Sequence, residues 1–577
     1  MNIIRKKRFF YFTLLYSFVN ILSAQNIDLA KLVDIPKAKP FDFNGTLSTN
    51  GIYYHGDNQY RNPFSYFIHG SASVTIYQQI TLPFSFSFSN QGHNYSYPTL
   101  PNRFSLNPTY KGYTLHIGEM NSSLSGYTMS GVPIMGIGFE AKELVPSIPL
   151  RLNIFFGRMQ KAMEYDIAHP EILPAYKRLG YGGKIAFEKE RYQVGLIIFG
   201  AKDGVNSLQQ KPDSMFIYPQ SNLVIGIEGG VEIVKNLKVR AEYAVTAVGM
   251  DIRDHNEHSG KGNLLQYIYK PKGTTIYKNA VKGAINYTFS HTTMGVNYER
   301  IDPEYKTLGI YYANQDIERV AFDVSQSVWK EKIALVGSFG YEHNNLNHSS
   351  EENMSRFSYS LATNMKFGEI VTINASYSNF TSIANVRSPF EDINHTSPIP
   401  LIDTINFRQL SQNASITFNI QAQKSENCNQ TVNVNLSFQD AYDKNDGKQS
   451  SATSSQYYNA TAGYALSFPK QKLNFNIAYI TTINKDRQGM QLMMGPTLSA
   501  NATFLKLLTT SLVIGYNMAL VKSIRENDVI NIRFNFAYRL FKRHTFNFSM
   551  VEQMRKTTQQ PLKNDLTLTL GYTFTLK

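Results

Sequence analysis

The chain has 577 residues, of which 17% are charged and 13% aromatic, with a formal net charge of +14 and one cysteine. Charge this sparse beside a mean hydropathy of −0.29 excludes a bundle of membrane helices, and it is low against the roughly 25% of a soluble domain. Without a linker, repeat or composition break, the length reads as one large β structure, and the lone Cys428 cannot form an internal disulfide.

Arg5, Lys6, Lys7 and Arg8 precede an apolar run from Phe9 to Leu22 and the small pair Ser23-Ala24. This is the pattern of a secretory signal peptide over residues 1–24, cleaved before Gln25. Its removal takes four basic and no acidic residues, lowering the formal charge from +14 to +10. Gln25 is not a cysteine, so no lipoprotein is expected. Residues 25–40 read as a short periplasmic lead-in, too short to be a plug domain.

Strands are expected at about 41–54, 65–77, 80–90, 110–118, 131–141 and 150–157. Phe84-Ser-Phe-Ser-Phe-Ser89 alternates with period two. In the hairpin from Leu223 to Val245, a turn at Val234-Lys235-Asn236 sets Ile233 opposite Leu237 and Glu232 opposite Lys238. Leu223, Ile225, Ile227 and Val231 then share one face, while Glu228, Glu232, Lys238, Arg240 and Glu242 share the other. Such a charged row is tolerable only where water reaches it, which predicts a wet lumen. Similar hairpins follow from turns at Lys189-Glu190 (Phe187 opposite Tyr192), Lys470-Gln471 (Leu466 opposite Phe475) and Phe541-Lys542-Arg543 (Tyr538 opposite Phe546, with Arg533 and Arg539 inside).

Long polar connections are expected at 160–179, 200–221, 250–278, 381–405, 440–454 and 484–491. Short turns alternating with long loops is the asymmetry of a membrane barrel. The final stretch, Asp565 to Lys577, sets Leu566, Leu568, Leu570, Tyr572, Phe574 and Leu576 on one face and threonines on the other. A terminal strand this regular needs a partner, and closure onto the first strand supplies one.

Thr569, Gly571, Phe574 and Leu576 resemble the C-terminal β-signal of outer-membrane barrels, with Lys577 as a departure from the usual aromatic end. Gly51-Ile-Tyr-Tyr-His-Gly-Asp57, Asn62-Pro-Phe-Ser-Tyr66, Thr114-Leu-His-Ile-Gly118 and Phe156-Gly-Arg-Met-Gln-Lys-Ala-Met-Glu-Tyr-Asp166 resemble large, mostly uncharacterised outer-membrane barrels of the Bacteroidetes type. The resemblance implies a Gram-negative outer membrane and brings no catalytic residue with it.

The expected fold is therefore all-β: a single antiparallel transmembrane barrel over residues 41–577, of about 26 strands (22–26), with short periplasmic turns and long extracellular loops. No nucleotide loop, zinc-protease or nucleophile-elbow motif is present. Asp254-His255-Asn256-Glu257-His258 and Asp443-Lys444-Asn445-Asp446-Gly447 read as solvated loop and turn rather than metal sites, so no catalytic residue, metal or cofactor is assigned. The inward charges either brace the wall or select solute. Expected partners are outer-membrane lipid and lipopolysaccharide, the barrel-assembly machinery, and a plugging or periplasmic protein, but not nucleic acid. The leading functional expectation is a non-catalytic, porin-like transport channel, narrowed by loops such as 250–278 and 381–405. A secretion or assembly scaffold holding a partner protein is the alternative, and an outer-membrane enzyme a distant third.

Overall fold

A computed structural model describes residues 40–576, except 57–62, 91–102, 146–147, 168–172, 255–264, 266–267, 312–313, 349–354, 380–409, 443, 446–447, 450–454, 487–488 and 559–560. The expected signal peptide, the expected lead-in up to residue 39, the 255–258 stretch, the 381–405 loop, parts of 443–447 and Lys577 lie outside the described residues. The sheet has 27 strand segments. Two of them, Arg103–Leu106 and Thr109–Tyr110, both pair with Ile80–Ser89 on one side and Tyr113–Asn121 on the other. They form one interrupted strand, so the wall has 26 strands. Every strand is antiparallel to its predecessor, and Phe41–His55 pairs with Lys563–Leu576 from Gly45↔Leu576 to His55↔Leu566. That last ladder closes the barrel and removes both sheet edges.

The interrupted strand is absent from the sequence expectation. Pro108 supplies no N–H and breaks the ladder, while Asn107 turns its side chain to His116 at 2.8 Å. The neighbouring expected strand, 110–118, is observed at Tyr113–Asn121.

Hairpin registers show which turns were legible. Leu466↔Phe475 and Tyr464↔Ile477, and Tyr538↔Phe546, stand as expected. The Lys189-Glu190 turn is corrected: Lys189 pairs with Tyr192 and Phe187 with Val194, so the turn is Glu190-Arg191 and the register slips by two, which preserves the faces. In the central hairpin Glu232↔Lys238 holds, but Val234 pairs with Leu237 and Ile233 is a bulge. Asn236 takes a left-handed φ of 72° there, which lets Lys235-Asn236 turn in two residues.

The connections segregate by end. At the end where Phe41 begins and Leu576 stops, turns have two to four residues, except for 142–149. At the other end connections run from eight to 31 residues until Ser455, after which the wall is joined by the short 487–488, 522–523 and 558–562. The expected long loop at 484–491 is therefore corrected to a tight hairpin, with Lys485↔Met490 and Asp486↔Gly489 paired and Gly489 at φ 130°.

Candidate functional site

Residues opposite one another in a ladder share a face, so each face can be followed around the closed wall. One face carries Ile227 (54% exposed), Phe339 (56%), Leu498 (52%) and Leu570 (67%). The other carries Ile197, Phe199, Val224, Ala244 and Ala280, all fully buried. What buries them is the connection 122–132, together with 302–316: Leu124, Tyr127, Met129 and Val132 join Tyr305 and Leu308 in one apolar cluster with that wall. Tyr127 donates a hydrogen bond to Glu299, although its own connection joins Tyr113–Asn121 to Pro133–Ala141, seven strands before Thr292–Ile301. Only a chord across the concave side makes that span short. The second face is thus the inner one, and two connections fold into the lumen.

The two infolded segments are fastened to each other and to the wall. Met129 bridges Gly309, and Ser130 N–H donates to the Gly309 carbonyl at 3.0 Å. Tyr305 Oη donates to the Tyr127 carbonyl and Thr307 Oγ1 to the Thr128 carbonyl, both at 2.7 Å. Buried Asn222 accepts from Leu308 N–H at 3.0 Å, and Thr246 Oγ1 donates to the Lys306 carbonyl at 2.8 Å. Glycine makes the fit possible: a Cβ on Gly309 would stand 2.5 Å from the Thr128 carbonyl oxygen, and one on Gly226 would stand 3.2 Å from Thr128 Cγ2. These segments were missed from the sequence, where the only trace is apolar Leu124, Tyr127, Met129 and Val132 in a connection rather than a strand.

The charged residues singled out from the sequence fall in two places. Glu228 stands opposite Glu242, and Gly230 opposite Arg240. Glu228 is bridged by Lys184 at 2.6 Å, whose Nζ also donates to the Leu124 carbonyl at 3.3 Å. Glu232, opposite Lys238, accepts from Asn236 N–H at 2.9 Å. Arg533 stands apart from these, opposite Val513 and Val551, and Arg539 stands opposite Thr545. Of the terminal residues, Thr569 faces Ile52, Gly571 faces Asn50, Phe574 faces Leu47 and Leu576 faces Gly45. Seam contacts add Ser48 Oγ with Thr573 Oγ1 at 3.0 Å and Tyr54 Oη donating to Asp565 at 2.6 Å.

The remaining wall has a different lining. Across the seven strands from Val371–Ser378 to Leu508–Val521, the described inner-face residues are mainly Asn, Gln, Ser and Thr, with charge only at the rims, at Lys424 and Asp486. They bond across strands: Ser376 with Ser415, Asn435 to Thr417, both 2.8 Å, and Asn459 to Thr482 at 3.0 Å. Cys428 sits in a short turn as a free thiol.

The connection 250–278, expected to narrow the lumen, lies partly outside the described residues, at 255–264 and 266–267. Leu265, 1% exposed, packs with Leu223 and Ala247, with Tyr269 and Tyr277 alongside, on the face that Ile227 shares. Leu265 and Tyr269 therefore lie against the outside of the wall near its long-loop end. Arg253 ties this connection to the preceding one, with Nη1 2.8 Å from Asp213 and Nη2 2.8 Å from Asp251. Those hydrogen bonds hold the Asp251 carboxyl below the usual carboxylate range and the Arg253 guanidinium above its own.

No protein-family model matches the chain, and no curated protein matches it in sequence. Among solved structures, it is similar to a mutant of the ferric enterobactin receptor PfeA of Pseudomonas aeruginosa (9% identity, 93% of this chain and 81% of that one, TM-score 0.44). It is also similar to the P pilus usher PapC translocation pore (10%, 93% and 100%, 0.38) and to OccAB2 of Acinetobacter baumannii (9%, 93% and 98%, 0.31). These are likenesses of barrel to barrel, and the functional reading rests on this chain's own residues.

Proposed function

We propose that the chain is an integral outer-membrane β-barrel that conducts hydrophilic solute, without catalysis, through a lumen narrowed on one side by its own infolded segments. The carrying observation is the closed 26-strand wall with an apolar outer face and an inner face that is hydrophilic outside the packed sector. Only closure satisfies every backbone group of a sheet in hydrocarbon, and 16 to 18 strands already leave an aqueous channel. The turn asymmetry orients the wall, with short turns periplasmic and long connections outside. In this reading residues 1–24 direct export and Thr569, Gly571, Phe574 and Leu576 present the last strand to the assembly machinery. Among the described residues, no group of three or more His, Cys, Asp or Glu is placed to hold a metal ion.

Planar-bilayer recording of the purified monomer tests the conduit, with discrete, stable openings expected. The scaffold reading keeps one specific support: among the described residues, the lumenal core covers the sector from about Tyr113–Asn121 to Ile317–Val328 and no other. A stoichiometric partner in a native pull-down, with no openings from the monomer, would replace the conduit by the scaffold.

A further inference from the structure

The lining of the seven strands from Val371–Ser378 to Leu508–Val521 identifies what the conduit would carry. We propose that this inner face is a contact wall for an uncharged polyhydroxylated chain, an oligosaccharide; the proposal rests on the conduit reading and names its solute. Three observations carry it. First, between Lys424 and Asp486 at the rims the described inner face offers no fixed charge, so an ionic solute finds no counter-charge there, whereas the opposite sector concentrates its charges in pairs such as Lys184 with Glu228. Second, amides and hydroxyls both donate and accept, which matches sugar hydroxyls group for group. The cross-strand bonds Ser376 to Ser415, Asn435 to Thr417 and Asn459 to Thr482 hold several of these groups in fixed orientation.

Third, three polar atoms on this face are left over. Tyr457 Oη, Thr497 Oγ1 and Asn517 Oδ1 are buried and find no hydrogen-bond partner among the described residues, and Asn517 as a whole is only 6% exposed. Buried polar atoms are nearly always satisfied. Three exceptions on one face, on strands Ser455–Phe468, Gly489–Phe504 and Leu508–Val521, are groups that a side-chain rotation toward the lumen would offer to an incoming hydroxyl. An extended peptide offers the same backbone donors and acceptors but brings charged side chains, for which this wall has no partner.

The test is equilibrium binding of maltohexaose to the full-length barrel by titration calorimetry, in an amine-oxide detergent with no sugar headgroup to compete. Maltohexaose is expected to bind at least about tenfold more tightly than an anionic uronate hexamer. The nearly isosteric double variant Tyr457→Phe/Thr497→Val removes two unpartnered atoms and little volume. It is expected to weaken maltohexaose about tenfold, the size of one to two lost hydrogen bonds, while keeping its heat-modifiable folded form. A merely structural role for the two hydroxyls predicts unchanged sugar binding. Unchanged binding, no wild-type binding, or tighter binding of an uncharged glycine-serine peptide overturns the proposal. Because calorimetry does not require conduction, a barrel that binds the sugar but shows no bilayer openings overturns the conduit and leaves the sugar wall standing.

Discussion

At Gly309 a single hydrogen atom in place of a side chain decides how closely the two infolded segments approach. A Cβ there would meet the Thr128 carbonyl oxygen at 2.5 Å and Met129 Cβ at 2.9 Å, so Gly309→Val must part them, at about 1 to 3 kcal/mol as an overpacking change. Single-channel conductance should rise. Gly126→Ala, whose Cβ would have nothing within 4 Å, should leave it unchanged, and identical currents from the two variants would show that these segments do not limit passage. The neighbours Gly226 and Ile227 show what alternation conveys and what it does not. Ile227→Arg puts a charge on the outer face at roughly 2 to 4 kcal/mol, and the face was legible from period two alone. The sequence reads Gly226 as a wet lumen position, where charge costs less. Yet its Cβ would face Thr128 and Ile197, so Gly226→Asp should destabilise comparably, measured as the urea midpoint of unfolding from micelles. Alternation assigns a side to a residue, but not what a connection some 100 residues away lays over that side.

Among the elements, the last strand was the most readable and the interrupted one the least. Strict alternation from Leu566 to Leu576 matches the observed seam, whereas Pro108 splits its strand into pieces of four and two residues, too short to show a period. Deleting residues 574–577 removes the pairings of Leu576 with Gly45 and Phe574 with Leu47, and assembly should fail. A deletion variant that still migrates on gels as a compact, heat-modifiable form would contradict a closing role for this strand. The outer cap made by the connections after Asp203 and Gly249 gives a pH prediction. Asp251 has a lowered carboxyl pKa in the folded state, so its pairing with Arg253 contributes fully above the ordinary carboxylate range and is lost as pH falls through the lowered value. Hydrogen-exchange protection factors in 204–220 and 250–254, taken against the intrinsic rate at each pH, should therefore stay high at neutral pH and fall in acid. With both side chains partly exposed the effect is about 1 kcal/mol, and an acid-insensitive cap would assign its stability to Leu265 and Tyr269 instead.

Across the whole molecule, strand number, closure and the segregation of turns follow from the spacing of alternating runs and turn residues, all local signals. The division of the lumen into a packed, charge-paired sector and a neutral one is not local, and it was not legible. It bears on ion passage: Lys184 and Glu228 pair within the packed sector, whereas Arg533 and Arg539 stand on the inner face away from that core. The proposed conduit should prefer anions modestly, and more so at low salt, as the Debye length grows from about 10 Å at 0.1 M to about 30 Å at 0.01 M. Reversal potentials across a salt gradient should shift toward cations in Arg533→Glu/Arg539→Glu. An unaltered reversal potential would place the selective constriction elsewhere.

The seam between Phe41–His55 and Lys563–Leu576 also sets the order of events in making the wall. The other 25 ladders join strands adjacent in the chain, so each can form as a hairpin extension once its second strand is available. Ser48 and Thr573, bonded across the seam, are 525 residues apart. Loop-closure entropy grows only as the logarithm of that separation, so the penalty stays near 5 to 6 kcal/mol, but it falls on a single step. Until that step the nascent wall is an open sheet with two unpaired edges, and a chain halted one strand short has no smaller ring to fall back on without breaking the register of every hairpin already formed.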